Sequence, residues 1–168
     1  MKELLEMTEE AFFKAMRKGW ANGDPGREIL RPPGYPTWKM IEYTVYSLGI
    51  TVTDRWGDIV EDDGRVRPGG SIIASLHTIP VWGMQCTRGQ KYAKEALPLL
   101  RKVLMEAYHG NKFYGGRGKQ NVLSEDGKLL YVNNCSGSFE KFTADESIVF
   151  LPTNTCIGSH FWVGGLLI

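Results

Sequence analysis

The sequence predicts an α+β fold: one mainly antiparallel β-sheet with two principal α-helices packed on it. Two stretches carry apolar residues at helical spacing, and the runs around them alternate apolar and polar residues as half-buried strands do. Turn signals rich in Gly, Asn, Asp and Pro separate the short apolar runs of the last third, which gives that part an antiparallel character. The resulting order of helix, strands, helix, strands is that of helices set on one face of a sheet. A length of 168 residues suits one domain, 1–168, with a substantial core. Hydrophobic content of 42% and charged content of 23% are those of an ordinary globular protein.

The N-terminal helix is expected over about residues 8–21. Thr8 is placed to cap it, Glu9 and Glu10 suit the positive end of its dipole, and Arg17 and Lys18 the negative end. Phe12, Met16 and Trp20, with Phe13 beside them, form its apolar stripe, and Gly19 followed by Asn22-Gly23-Asp24-Pro25-Gly26 stops it. Residues 22–36 are rich in Pro and Gly and read as irregular and extended, either a linker or a segment packed across the domain surface.

The sheet and the long helix are expected within 37–168. Ile41, Tyr43 and Val45 alternate with Glu42, Thr44 and Tyr46, and Ile50 and Val52 resume the pattern after Gly49. Asp54-Arg55-Trp56-Gly57 is read as the end of that strand. Glu61-Asp62-Asp63-Gly64 and Pro68-Gly69-Gly70 are read as an exposed connection. Ser71–Leu76 and Val81–Cys86 form a hairpin through His77-Thr78-Ile79-Pro80. Between Gln90 and Ala107, Tyr92, Ala96, Leu97, Leu100, Val103, Leu104 and Ala107 share one helical face; Pro98 either kinks this helix or marks its start, with a preceding turn supplying the earlier residues. Further strands flank Ser124-Glu125-Asp126-Gly127-Lys128, a turn at Ser136-Gly137-Ser138 and another at Pro152-Thr153-Asn154, ending with Thr155–Val163. No internal sequence repeat is found.

Several function classes are disfavoured at once. Net charge is +1, which gives no global attraction to nucleic acid or to a membrane surface. No apolar run approaches a membrane span, and the acidic N-terminus is unlike a signal peptide. Cys86, Cys135 and Cys156 are odd in number and widely spaced, so reduced thiols in a cytoplasmic protein are expected. The three histidines show no metal spacing. Cys156 and His160, four apart on a strand, would lie ~13 Å apart at ~3.3 Å per residue, too far for a catalytic pair. No cofactor or metal is expected.

The strongest candidate for binding is Asn111-Lys112-Phe113-Tyr114-Gly115-Gly116-Arg117-Gly118-Lys119, between the long helix and the last strands. Its glycines allow positive φ and close approach, while its aromatics and cations could stack on and hold a ligand. It matches neither a P-loop nor a dinucleotide fingerprint. The plainer alternative is a hinge between helix and sheet, with Arg117 in a surface ion pair. Tryptophans and tyrosines outside the helical stripes could line a pocket with Arg31 and Arg117. The candidate ligand-binding set is Arg31, Tyr43, Asp54, Trp82, Tyr114, Gly116 and Arg117.

An ordered set of short motifs resembles the bacterial domain-of-unknown-function family 5680, found alone or behind an Xre-type helix-turn-helix domain. The matching residues are Arg31-Pro32, Asp54, Pro80-Val81-Trp82-Gly83-Met84, Lys94-Glu95-Ala96-Leu97 and Arg117-Gly118. They continue with Gly137-Ser138-Phe139-Glu140-Lys141-Phe142, Glu146, Ile148 and Gly164-Gly165-Leu166-Leu167-Ile168. The likeness covers nearly the whole chain from about Phe12. The sequence departs from the family pattern at Ser71, at Gln85-Cys86 and at Val163, where acidic, Asn-Tyr and His residues are usual. The resemblance implies a kept scaffold and pocket, and brings no reaction or substrate.

The first expectation is therefore a non-enzymatic small-molecule-binding domain, a sensor or a sequestering protein, with a nucleotide-like or otherwise anionic ligand. A hydrolase or transferase using Asp54 or Glu140 with His77 or His160 is the second. A protein-interaction module, as a homo-oligomer, is the third.

Overall fold

The computed structural model describes residues 2–29 and 35–168. Its nine strands form one antiparallel sheet in the order β1-β2-β3-β4-β5-β9-β8-β7-β6. Two α-helices accompany it, so strand predominates over helix.

Helix α1 spans Lys2–Met16 and starts earlier than its sequence caps suggest. Leu4 and Leu5 are good helix formers, and Leu5 packs against the core. Thr8 is not a cap. It sits buried within the helix, its hydroxyl donating to the Leu4 carbonyl at 2.6 Å. A single 3₁₀ turn, Trp20–Asn22, follows and is closed by Gly23. Strand β1, Arg27–Ile29, then pairs with β2, Trp38–Val45, so the Pro/Gly segment opens with a short edge strand.

Strands β3, Ile50–Val60, and β4, Val66–Leu76, are longer than the alternation alone indicates. Asp54–Gly57 continues β3, and Pro68-Gly69-Gly70 belongs to β4. The exposed connection is only the turn in which Glu61 N–H donates to the Arg65 carbonyl at 2.8 Å. Pro68 is tolerated because β4 pairs with its other neighbour only from Gly70 onward, which leaves an edge at Pro68. Strand β5, Ile79–Gln90, follows a two-residue turn in which His77 and Thr78 both have positive φ. Helix α2, Leu97–His109, has Pro98 in its first turn, so the proline starts the helix and no kink arises.

The remaining strands are β6, Val122–Leu123, β7, Leu129–Ser138, β8, Lys141–Phe150, and β9, Thr155–Leu166. The β7–β8 turn lies at Phe139-Glu140, later than Ser136–Ser138. Packing explains the shift. Phe139 stacks on Trp82 with ring centroids 4.5 Å apart, and the Trp82 Nε1–H donates to the Phe139 carbonyl at 2.7 Å.

A helix followed by strands occurs twice, α1 with β1–β5 and α2 with β6–β9, and the last strand of each unit pairs with the other. The repeat is one of topology, with no echo in the sequence. Both helices lie on one face, over an aromatic cluster of Phe12, Trp82, Phe113, Phe139 and Phe142. All three cysteines are free thiols. Among the described residues no helix is long and apolar enough to cross a membrane, and no group of three or more His, Cys, Asp and Glu could hold a metal ion.

The glycine loop is inside. Gly115 to Gly118 are buried between the helices and the sheet. Gly115 and Gly116 both have φ near +69°. A Cβ on Gly115 would also overlap Ala144 Cβ on β8. We expect Gly115→Ala to lower stability by about 3 kcal/mol, combining backbone strain with overpacking. A fall in Tm of roughly 6–12 °C would report it.

Candidate functional site

The loop carries Arg117 into the interior, where the residue is 7% exposed. Glu146 waits there. It is the inward member of β8, where Phe142, Ala144, Glu146 and Ile148 are all buried and the residues between them are more exposed. The register sets Glu146 between Asn133 of β7 and His160 of β9. Arg117 donates to Glu146 Oε1 from Nε at 2.8 Å and approaches it with Nη2 at 2.5 Å. Tyr131 donates its hydroxyl to Glu146 Oε2 at 2.9 Å, and that hydroxyl accepts the Gly118 N–H at 3.0 Å. Asn133 Nδ2 donates to the carbonyls of Tyr114 and Gly118 at 2.9 and 2.7 Å, and the Tyr108 hydroxyl donates to the Gly116 carbonyl at 3.0 Å.

Burial alone would raise the Glu146 carboxyl, but the guanidinium and then His160 outweigh it and hold it at about 2. Burial would likewise lower Arg117, and the neighbouring carboxylate keeps it charged. His160 Nδ1 is 3.3 Å from Glu146 Oε1 yet is not aligned to hydrogen-bond with it.

Beside this pair opens a cavity of ≈ 540 Å³, a size that holds a small organic ligand. Leu100, Leu104 and Tyr108 of α2 form one wall. The facing wall is the sheet, where Trp56, Gly70, Cys86 and Trp162 share one cross-strand row and Asp54 lies in the next. Trp162 lies over Gly70, whose missing side chain leaves room for the indole. The Arg117 guanidinium is 5.0 Å from the Trp162 ring centroid. Lys39, Lys91 and Lys94 reach the rim, with Glu28 and Asp58, and Lys91 pairs with Asp58 at 2.9 Å.

Three residues of this lining carry a buried polar atom with no hydrogen-bond partner: the Tyr92 hydroxyl, His160 Nδ1 and Trp162 Nε1. Native interiors rarely leave such groups unpaired. Asp54, partly buried, lies on the same lining. Its carboxyl gains neither hydrogen bond nor ion pair from the described residues, and burial, only partly offset by Arg117, pushes it up to about 7.

Of the described residues expected in the site, Asp54 and Arg117 line the cavity, and Tyr43, Trp82, Tyr114 and Gly116 do not. Trp82 is 0% exposed and belongs to the aromatic core. Tyr43 accepts a hydrogen bond from Lys18 Nζ at 2.9 Å, away from the cavity. Tyr114 and Gly116 lend carbonyls to the network that holds Arg117 in place. Arg31 lies outside the described residues. The Arg117 ion pair is buried, where a surface pair was the alternative to ligand contact. Glu140 lies in the exposed β7–β8 turn and His77 at the β4–β5 turn, so neither reaches the cavity.

In the sequence Glu146 stands out only as part of the family likeness and Tyr108 not at all, while Tyr92 and Ala96 read as part of the long helix, which in fact begins after them at Leu97 because Pro98 fits only its first turn. A signal for the first was present: a lone carboxylate in the inward phase of an alternating strand. No family profile matches the chain, and neither does any curated protein or solved structure. The expected resemblance to family 5680 rests on the quoted motifs alone. Ser71, Gln85 and Val163, where the chain departs from that pattern, fall in one cross-strand row out of phase with Asp54 and Trp162. They face away from the cavity. Only Cys86 among the departures lines it.

Replacing Glu146 by Gln leaves the Arg117 charge buried without a counter-charge. The expected loss is about 3–5 kcal/mol in urea denaturation. A second prediction concerns pH. The Asp54 carboxyl titrates near 7 in the folded chain against an ordinary value of 3.8. The folded state thus binds more protons between those values, and this group's contribution to stability falls as pH rises through them. Asp54→Asn should stabilise the protein by about 2–4 kcal/mol at pH 8 and by almost nothing at pH 3. Glu146 acts oppositely: its contribution is present above an ordinary value of 4.5 and is lost as pH falls toward 2.

Proposed function

We propose that this chain is a non-enzymatic small-molecule-binding domain, a sensor or sequestering protein that takes a planar, nucleotide-like ligand beside Arg117. The observation that carries this reading is that Tyr92 and Trp162, each with a buried polar atom lacking a hydrogen bond, line one cavity with His160, whose Nδ1 lies 3.3 Å from Glu146 without hydrogen-bond alignment. The Tyr92 hydroxyl and the Trp162 Nε1–H are polar groups that a ligand atom would satisfy. The aromatic faces of Trp56, Tyr92 and Trp162 suit a flat ring. A bare anion is the weaker candidate, because Glu146 already matches the charge of Arg117. A phosphate would instead meet the lysines of the rim.

The cavity offers poor material for nucleophilic chemistry. Burial pushes the Cys86 thiol up, away from the reactive thiolate. One observation favours the enzymatic reading: Asp54 titrates near neutrality in the same cavity as His160, as a general acid or base would.

Thermal-shift measurements against nucleobases, nucleosides, nucleotides, sugar phosphates and organic acids test the proposal. A true ligand at a hundred times its Kd should add about 2.7 kcal/mol of stability, and Tm should rise by roughly 5–10 °C. Native mass spectrometry of freshly purified protein should then show the same ligand class retained. Indifference to every compound, with an unliganded mass, would sink the binding reading. Turnover of a bound compound that Asp54→Asn abolishes would favour the enzyme.

A further inference from the structure

If the cavity is a binding site, the polar groups on its walls define the ring it takes. The charge count comes first. Arg117 and Glu146 form a matched pair, which leaves the carboxyl of Asp54 on the inner wall with no ion pair among the described residues, while Lys39, Lys94 and Glu28 stand at the rim. Asp54 stands on β3 between Ile41 and Ile72 in the register, with no partner of its own among the described residues. A carboxylate so placed binds best to two parallel N–H groups on one rigid plane. Hydrogen-bond donors come second. Trp162 is 5% exposed, and its Nε1–H can only donate. The buried Tyr92 hydroxyl also lacks a well-formed hydrogen bond, although the Glu146 carboxylate lies near enough to help raise its pKa after burial itself. His160 Nδ1 faces the Glu146 carboxylate at 3.3 Å and belongs with the ion pair.

Three ligand classes can be weighed against this pattern. An organic cation would meet the aromatic walls and Asp54 but leave the indole and phenol donors unpaired. An organic anion would satisfy those donors and face the carboxylate of Asp54. A neutral ring with a donor edge and an acceptor edge satisfies both. We propose that the cavity binds a ring of the 2-amino-4-oxopyrimidine type, as found in guanine and in pterins. Its ring N–H and exocyclic amine face Asp54, and its carbonyl and ring nitrogens accept from Trp162 and Tyr92. This assignment rests on the binding reading above and adds the ligand class to it.

Calorimetric titration of the whole chain with guanosine, pterin, inosine, xanthosine, choline and benzoate tests it. Guanosine or pterin should bind at least tenfold more tightly than inosine, which lacks the 2-amino group. Preference between those two tells a purine ligand from a pterin. Asp54→Asn replaces one acceptor with a donor, so it should weaken guanosine at least tenfold and strengthen xanthosine, whose C2 carbonyl accepts from the new amide. Equal binding of inosine and guanosine would overturn the assignment, and that comparison needs no variant. So would choline or benzoate as the tightest probe, or guanosine binding unchanged in Asp54→Asn. In those cases the cavity still binds a small molecule and the binding reading stands. If none of the six probes binds and the wider thermal-shift panel is also silent, both fall.

Discussion

The ion pair between Arg117 and Glu146 is the constraint on which the interior depends. Two charges taken out of water require close opposite charge and full hydrogen bonding. Here both conditions are met by neighbours that serve a second purpose. The glycine loop runs between two packed layers, where its backbone groups cannot reach water. Asn133, Tyr108 and Tyr131 supply the missing partners for Tyr114, Gly116 and Gly118. Loop and ion pair hold each other in place, and neither would keep its geometry if the other were lost.

The cavity follows from a mismatch of areas. Nine strands spaced ~4.8 Å apart span roughly 38 Å. Two helices, each about 10 Å across, cover little more than half of that width. With 15 and 13 residues they reach only ~20–23 Å along it. Aromatic side chains fill most of the remainder at the centre of the sheet. The part over β3, β4, β5 and β9 is left lined by Trp56, Trp162 and α2, with Asp54 in its wall.

Local patterning made much of this architecture legible. Alternation revealed β2 and the start of β3, and the apolar stripe revealed α2, because each records one buried face. The extensions of β3 and β4 were hidden, since Asp54, Trp56 and Pro68 belong to a cavity wall and a local edge, where polar, bulky and ring-locked residues break the usual pattern. Thr8 looked like a cap because its capping preference is local, whereas its burial is tertiary. Arg117 stood out through the glycines around it. Glu146 did not, although its place in the inward phase of β8 marks it as plainly as hydrophobic residues mark theirs. Tyr92, His160 and Trp162 share a wall only through the β5–β9 pairing and its neighbours, and no spacing along the chain encodes that.

The central pairing of β5 with β9 also governs the order in which this fold can be completed. Residues 79–90 find their partner at 155–166, from Gln90 with Ser159, 69 positions later, to Trp82 with Leu166, 84 positions later. Contacts of such long range must meet a large loop-closure entropy before they stabilise anything, and they slow folding. Until β9 docks, β5 is an open strand edge with Trp82 and Met84 at its apolar face, and the cavity lacks Trp162 and His160. A chain caught at that stage carries the kind of exposed edge that pairs with other chains. Its binding wall and its protection from aggregation are completed by the same strand.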